Sequence, residues 1–247
     1  KKLILVSVIS VLLTILAAFL IVPRIVKENA KRGVIIQAIY RSNFVLFALP
    51  LSTNIFGDSG AAIASAMIAI IIPIYNIFAI MILEYFRGDD IRVLPLLKRV
   101  LSNPMIFGAL VGLVFIVLGI PLPACIEKPI AQFSDLTTPL ALFILGSTLH
   151  FSSLLDHAKY VIPTLAVKLF VLPACMLLVT LALQFDPVSR FVYLTMFATP
   201  VAAASYPMAA NMGGDGALAG ELVVASTAVS VGTLFLWIFI LKSYGWI

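Results

Sequence analysis

The chain is 247 residues long, 62% hydrophobic and 11% charged, with a mean hydropathy of +1.16. A soluble domain carries about 45–50% apolar and about 25% charged residues, so this composition excludes a water-facing globule and marks a membrane protein. The net charge of +5 fits basic connecting loops and not a nucleic-acid surface, and Cys125 and Cys175 lack any CxxC or Cys/His spacing that would indicate a disulfide framework, a metal or a cofactor.

The first apolar run, 3–22, follows Lys1 and Lys2 in the manner of a signal peptide, but its ~20 apolar residues exceed a signal core of about 7–15. It is predicted to span. Further runs at 33–57, 61–86, 104–122, 129–149, 159–185, 189–212 and 217–241 are each long enough to cross ~30 Å of hydrocarbon at ~1.5 Å per residue. The runs are continuously apolar, which argues for helices and against the alternating pattern of a β-barrel. Arg24, Lys27, Lys31 and Arg32 fall in the first connection, Arg87, Arg92, Lys98 and Arg99 in the third, and Lys159 in the fifth. The opposite connections carry only Lys128 and Arg190. The positive-inside rule therefore places the odd-numbered connections in the cytoplasm and both ends of the chain outside.

The second and seventh runs share a pattern. Pro50, Asn54, Gly57 and Asp58 match Pro207, Asn211, Gly214 and Asp215 at a constant offset of 157 residues. Five spans separate the two aspartates, so the copies have opposite membrane orientation, an inverted repeat of the kind secondary transporters use. The expected fold is all-α and polytopic, an inverted repeat of five helices with crossing broken helices. On this reading the first unit covers 1–86, the connection 87–103 and the second unit 104–247. Applying the offset to position 104 predicts that about 50 residues precede Lys1, giving ten spans of which eight are present.

Polar residues mark the interior of these spans. Arg41-Ser42-Asn43 lies ~13 Å into the second run, and the equivalent Ala198-Thr199-Pro200 contains a proline that removes a backbone donor. Both helices are expected to break there, offering unpaired N–H and C=O groups to a solute. Serine, threonine and proline also merely bend membrane helices, so it is their pairing across the repeat that singles out this site. Lys168 lies in the middle of VIPTLAVKLFVLP, where snorkelling is awkward, and either supports the structure or couples transport. Glu221 and Asp135 either reach interfacial water or take part in coupling. His150 and His157 are expected to be solvated, and Asn76 and Thr137-Thr138-Pro139 either line the cavity or bond to their own helices.

The segments RSNFVLFALP at 41–50, IFGD at 55–58, NPMIFGALVGLVF at 103–115, TPLALFILGSTL at 138–149 and TPVAAASYPMAANMGGDGALAGELVVASTAVS at 199–230 resemble the auxin efflux carrier family in order and spacing. The resemblance implies ten helices in two inverted units with a sodium/proton-antiporter-like architecture. It puts the family's crossover Asn on Asn43 and its crossover Pro on Pro200, and raises a homodimer. Plant members have Pro where this chain has Ser42, and Gln in the next helix where this chain is apolar around Ile70. The short connection at 87–103 is similar to bacterial members, which implies a bacterial inner-membrane carrier of small organic anions such as malate or malonate, or of auxin-like acids. Arg41, Ser42, Asn43, Thr199 and Pro200 would hold the anion, with Pro50, Asn54, Pro207 and Asn211 as the repeated helix-break motif. A channel or non-transporting receptor is the competing class. An enzyme is disfavoured: Gly213-Gly214-Asp215 resembles the GxGD protease motif only superficially, with Met212 at its first glycine, and no HExxH occurs.

Overall fold

The computed structural model describes residues 2–87, 107–108, 111–112, 114–115, 118–148 and 157–247. Arg92, Lys98, Arg99, His150, nearly all of the 87–103 connection and part of the 104–122 run lie outside the described residues, as do the side chains of Thr137 and Thr138. The described elements are helical. They are α1 (Lys2–Ile25), α2 (Asn29–Tyr40), α3 (Phe44–Arg87), α4 (Ala124–Thr148), α5 (Ala158–Ala166), a π turn (Val167–Val171), α6 (Leu172–Ala182), α7 (Pro187–Ala198), α8 (Ser205–Asn211) and α9 (Gly216–Ser243).

α1 shows why such a chain needs a bilayer. Ser7, Ser10, Val11, Thr14, Ile15, Ala18 and Val22 form one buried stripe at helical spacing. The opposite face exposes Leu5, Ile9, Leu13, Leu16 and Leu20, an apolar surface suited to lipid or to another helix and not to water. Among the described residues, four helical stretches are long and apolar enough to cross a membrane, namely Lys2–Ile25, Phe44–Arg87, Ala158–Ala182 and Gly216–Ser243.

α3 holds two of the expected spans. A straight 44-residue helix would run ~66 Å, twice the hydrocarbon thickness. The chain instead reverses at Gly57, whose φ of 60° and ψ of −141° are non-helical and suit a residue without Cβ. The returning half lies so close that a Cβ on Gly60 would stand 2.2 Å from the Ser52 carbonyl oxygen. The run expected at 129–149 begins earlier, at Ala124, because the Pro123 carbonyl accepts from the amides of Ile126 and Glu127 and starts the helix ahead of Pro129.

One end of the bundle gathers the first, fifth and seventh connections. The Asp215 amide donates to Ala30 O at 3.0 Å, and His157 lies 3.8 Å from the Asp215 carboxylate. The Arg87 side chain closes against Gly213. At the other end Lys2 Nζ donates to Leu183 O at 2.7 Å, and Arg190 donates to Phe185 O and Trp246 O.

Candidate functional site

Two helices are interrupted in their middles, and the interruptions meet. α2 ends at Tyr40, and Arg41 turns extended at φ −84°, ψ 120°; α7 ends at Ala198, and Thr199 turns extended at φ −73°, ψ 155°. The two segments run antiparallel, with Ser42 bridged to Val201. The Asn43 amide donates to Pro200 O at 2.8 Å. Pro200 has no N–H, so it enters the crossing through its carbonyl alone. Ser226 of α9 supplies the next contact, its hydroxyl accepting from the Val201 amide at 3.0 Å. Segments short enough to be half a span, 12 residues for α2 and 12 for α7, therefore end inside the protein with backbone groups that the crossing only partly satisfies.

Side chains then converge on this crossing. Lys168 is fully buried and its Nζ donates to Ser42 Oγ. Arg41, also buried, donates through Nη2 to Asn76 Oδ1 at 2.6 Å and through Nη1 to Met208 Sδ at 2.6 Å. Asn76 thus serves the crossing instead of its own helix. Tyr40 and Tyr75 pack with ring centroids 5.8 Å apart, and Gln37 Nε2 donates to Ser205 O at 3.3 Å. The side-chain Oε1 of Gln37 and the hydroxyls of Thr199 and Ser205 are buried without a hydrogen-bond partner among the described residues. Asn43 is half-buried, and no described side-chain hydrogen bond occupies its carboxamide.

The electrostatic character of the site follows. No carboxylate pairs with Arg41 or Lys168 among the described residues. A cation at mid-bilayer costs about 2.5–3.5 kcal/mol on insertion scales, and neutral partners offset only part of that. Two such groups within one crossing, together with vacant hydroxyls and a free carboxamide, form a place that an anion would neutralise.

The structure separates the remaining candidates. Pro50 and Asn54 lie exposed inside α3, while Pro207 lies in the first turn and Asn211 at the last residue of the short α8, where Asn211 Nδ2 bonds back to Pro207 O at 2.8 Å. These four residues are not at the crossing, and the breaks fall at 41–43 and 199–204 instead. Pro207 sits in the first turn of its helix, where an N–H has no intrahelical acceptor, so it breaks nothing. Glu221 is buried and not at interfacial water. It accepts from His157 Nδ1 at 2.9 Å, which removes His157 from the solvated role expected of it. Asp135 is exposed on α4. Gln37, Tyr75, Ser205 and Ser226 escaped the sequence reading, although Gln37 stands one helical turn before Arg41 inside an apolar run.

Helices that span, and two that stop in mid-span to meet end to end around polar side chains, define a multi-pass membrane protein with an internal polar crossing. The chain belongs to the membrane transport protein family, Mem_trans, the auxin efflux carriers, whose model matches residues 2–238. A comparison with curated proteins finds no match.

Proposed function

We propose that this membrane transport protein is a secondary carrier of small organic anions, working by alternating access in a cell membrane of bacterial inner-membrane type. The observation that carries this reading is the pair of buried cations, Arg41 and Lys168, which reach the crossing without a bonded carboxylate among the described residues. A mono- or dicarboxylate supplies the missing charge, while Asn43, Thr199 and the backbone freed at the breaks supply hydrogen bonds. Two inverted units, 1–86 and 104–247, joined through 87–103, would move against each other around this fixed site, with lipid as the surrounding solvent and a second copy as the expected oligomeric partner. The role we propose is transport: the crossing offers charge and hydrogen bonds with which to hold a solute.

Counterflow in proteoliposomes tests the proposal with labelled malonate, malate and indole-3-acetate as probes. A carrier gives saturable exchange stimulated by unlabelled anion on the far side, and Asn43→Ala with normal insertion lowers that exchange at least about tenfold by losing a positioned hydrogen bond. Ohmic current without saturation would identify a channel, and unchanged exchange in Asn43→Ala would remove the crossing as the site.

A further inference from the structure

Lys168 reaches the crossing because the helix that bears it is not a regular helix. Pro173 has no N–H, so the carbonyl four residues back, that of Leu169, loses its α-helical donor, and the proline ring crowds the same carbonyl. The chain responds with the π turn at Val167–Val171, in which the Leu172 amide bonds five residues back to Val167 O. A π turn inserts one residue into the helical count, and each residue step rotates a side chain by ~100°, so this insertion decides which face carries Lys168.

The orphaned carbonyl is taken by another helix. Trp237 of α9 donates its indole N–H to Leu169 O at 2.9 Å, from a site lined by Leu177, Leu234 and Leu241. In such apolar surroundings no water replaces a lost donor, and an unpaired carbonyl costs about 1–3 kcal/mol. The bond lands on the residue directly after Lys168, inside the loop that the Leu172–Val167 bond encloses. Closing the turn into a regular helix would shift the Leu169 carbonyl relative to Trp237 and rotate Lys168 relative to Ser42.

We propose that Trp237 is the positioning residue for Lys168: by capping the carbonyl that Pro173 frees, it holds the π turn that delivers the lysine to Ser42 at the crossing. The functional weight of this device rests on the anion-carrier reading above, but its geometry is tested without any substrate.

The full chain, with Cys125→Ser and Cys175→Ser, carries Ser42→Cys and Lys168→Cys, and a short bis-methanethiosulfonate bridges the two positions. Trp237→Phe keeps an aromatic ring and removes the N–H. The bridging yield is expected to fall at least about threefold as the turn loses its register. If Trp237→Phe does not fold, Pro173→Ala decides instead: it restores the helical donor to Leu169 O and removes the reason for the π turn, and the same fall is expected with Trp237 in place. A lowered thermal midpoint with unchanged bridging would show a merely structural role and overturn the proposal. A parallel malonate exchange assay on the chain with native Ser42 and Lys168 keeps the two readings apart. If the parent exchanges malonate, Trp237→Phe should raise KM about tenfold with Vmax within about twofold, the mark of a displaced binding group. Failure of the parent to exchange any of the three probe anions would count against the carrier reading, while the bridging result stands on its own.

Discussion

Lys168 carries the sharpest consequence of the site. Its ammonium is buried against a single described hydroxyl, that of Ser42, 126 residues away in sequence. A buried charge without a counter-ion is held at the expense of stability, and replacing buried ionic groups with apolar ones of similar volume is often neutral or stabilising by about 1–4 kcal/mol. Lys168→Met, which keeps length and flexibility, is therefore expected to raise the thermal midpoint in detergent by roughly 2–8 °C while abolishing anion exchange. A fall in the midpoint would mean that the lysine is structurally compensated and that the crossing needs no external anion. Both Lys168 and Arg41 stood out in the sequence because ionisable residues in apolar runs are expensive. Of their partners, Ser42 and Asn76 stood out as polar residues in apolar runs, but Met208 did not. Met208 is 167 residues from Arg41, and no local pattern announces a contact of that separation.

The broken helices were readable because their interruptions use residues with a physical reason to interrupt: the polar triplet Arg41-Ser42-Asn43 and the donor-less Pro200. The Pro50 and Pro207 motif was a poorer guide. A proline's effect depends on where its helix starts, and that register is set by the crossing rather than by the motif. The reversal inside α3 makes its own prediction. Gly60→Ala would drive a methyl into the Ser52 carbonyl at 2.2 Å, backbone against backbone, and should destabilise by at least about 1–3 kcal/mol. Gly232→Ala, in α9 with nothing within 4 Å of the added carbon, should instead gain up to about 1 kcal/mol of helix propensity. Thermal unfolding of both in one detergent checks the contrast, and equal shifts would contradict the tight hairpin. At the start of α7, Asp186 accepts from the Ser189 amide at 3.0 Å. Partial burial by itself would raise its carboxyl, but the Ser189 bonds and the nearby Arg190 outweigh this and hold it below the ordinary carboxylate range. A depressed carboxyl contributes stability that is present above its unfolded value and lost as pH falls through its folded one. Asp186→Asn keeps the cap, so its stability should match the parent in acid, where the native carboxyl is protonated, and fall below it at neutral pH. Midpoints measured from pH 3 to 7 that run parallel in the two proteins would sink this assignment.

For the molecule as a whole, the spacing of apolar runs was enough to read an all-α polytopic membrane protein, because a bilayer allows few arrangements of helices joined by short connections. What spacing could not supply is how those helices associate, since both sides are largely apolar and only Ser7, Ser10 and Thr14 mark the protein-facing stripe of α1. The sidedness can now be argued from contacts as well as from charge. The Asp215 amide bonds to Ala30 O, and His157 lies against Glu221 and Asp215, so the first, fifth and seventh connections share one end. Arg24, Lys27, Lys31, Arg32, Arg87 and Lys159 stand at or beside that end, a bias that the positive-inside rule assigns to the cytoplasm. The turn at Gly57 belongs to the opposite end, where Phe56 packs on Phe191 with ring centroids 5.4 Å apart. In a chain carrying Cys125→Ser and Cys175→Ser, a membrane-impermeant maleimide should therefore label Ser59→Cys in intact cells and should label Glu28→Cys only after the membrane is opened. Both positions are exposed, so burial does not confuse the readout. Labelling of Glu28→Cys in intact cells, with Ser59→Cys protected, would invert the molecule and place the His157–Glu221 end outside.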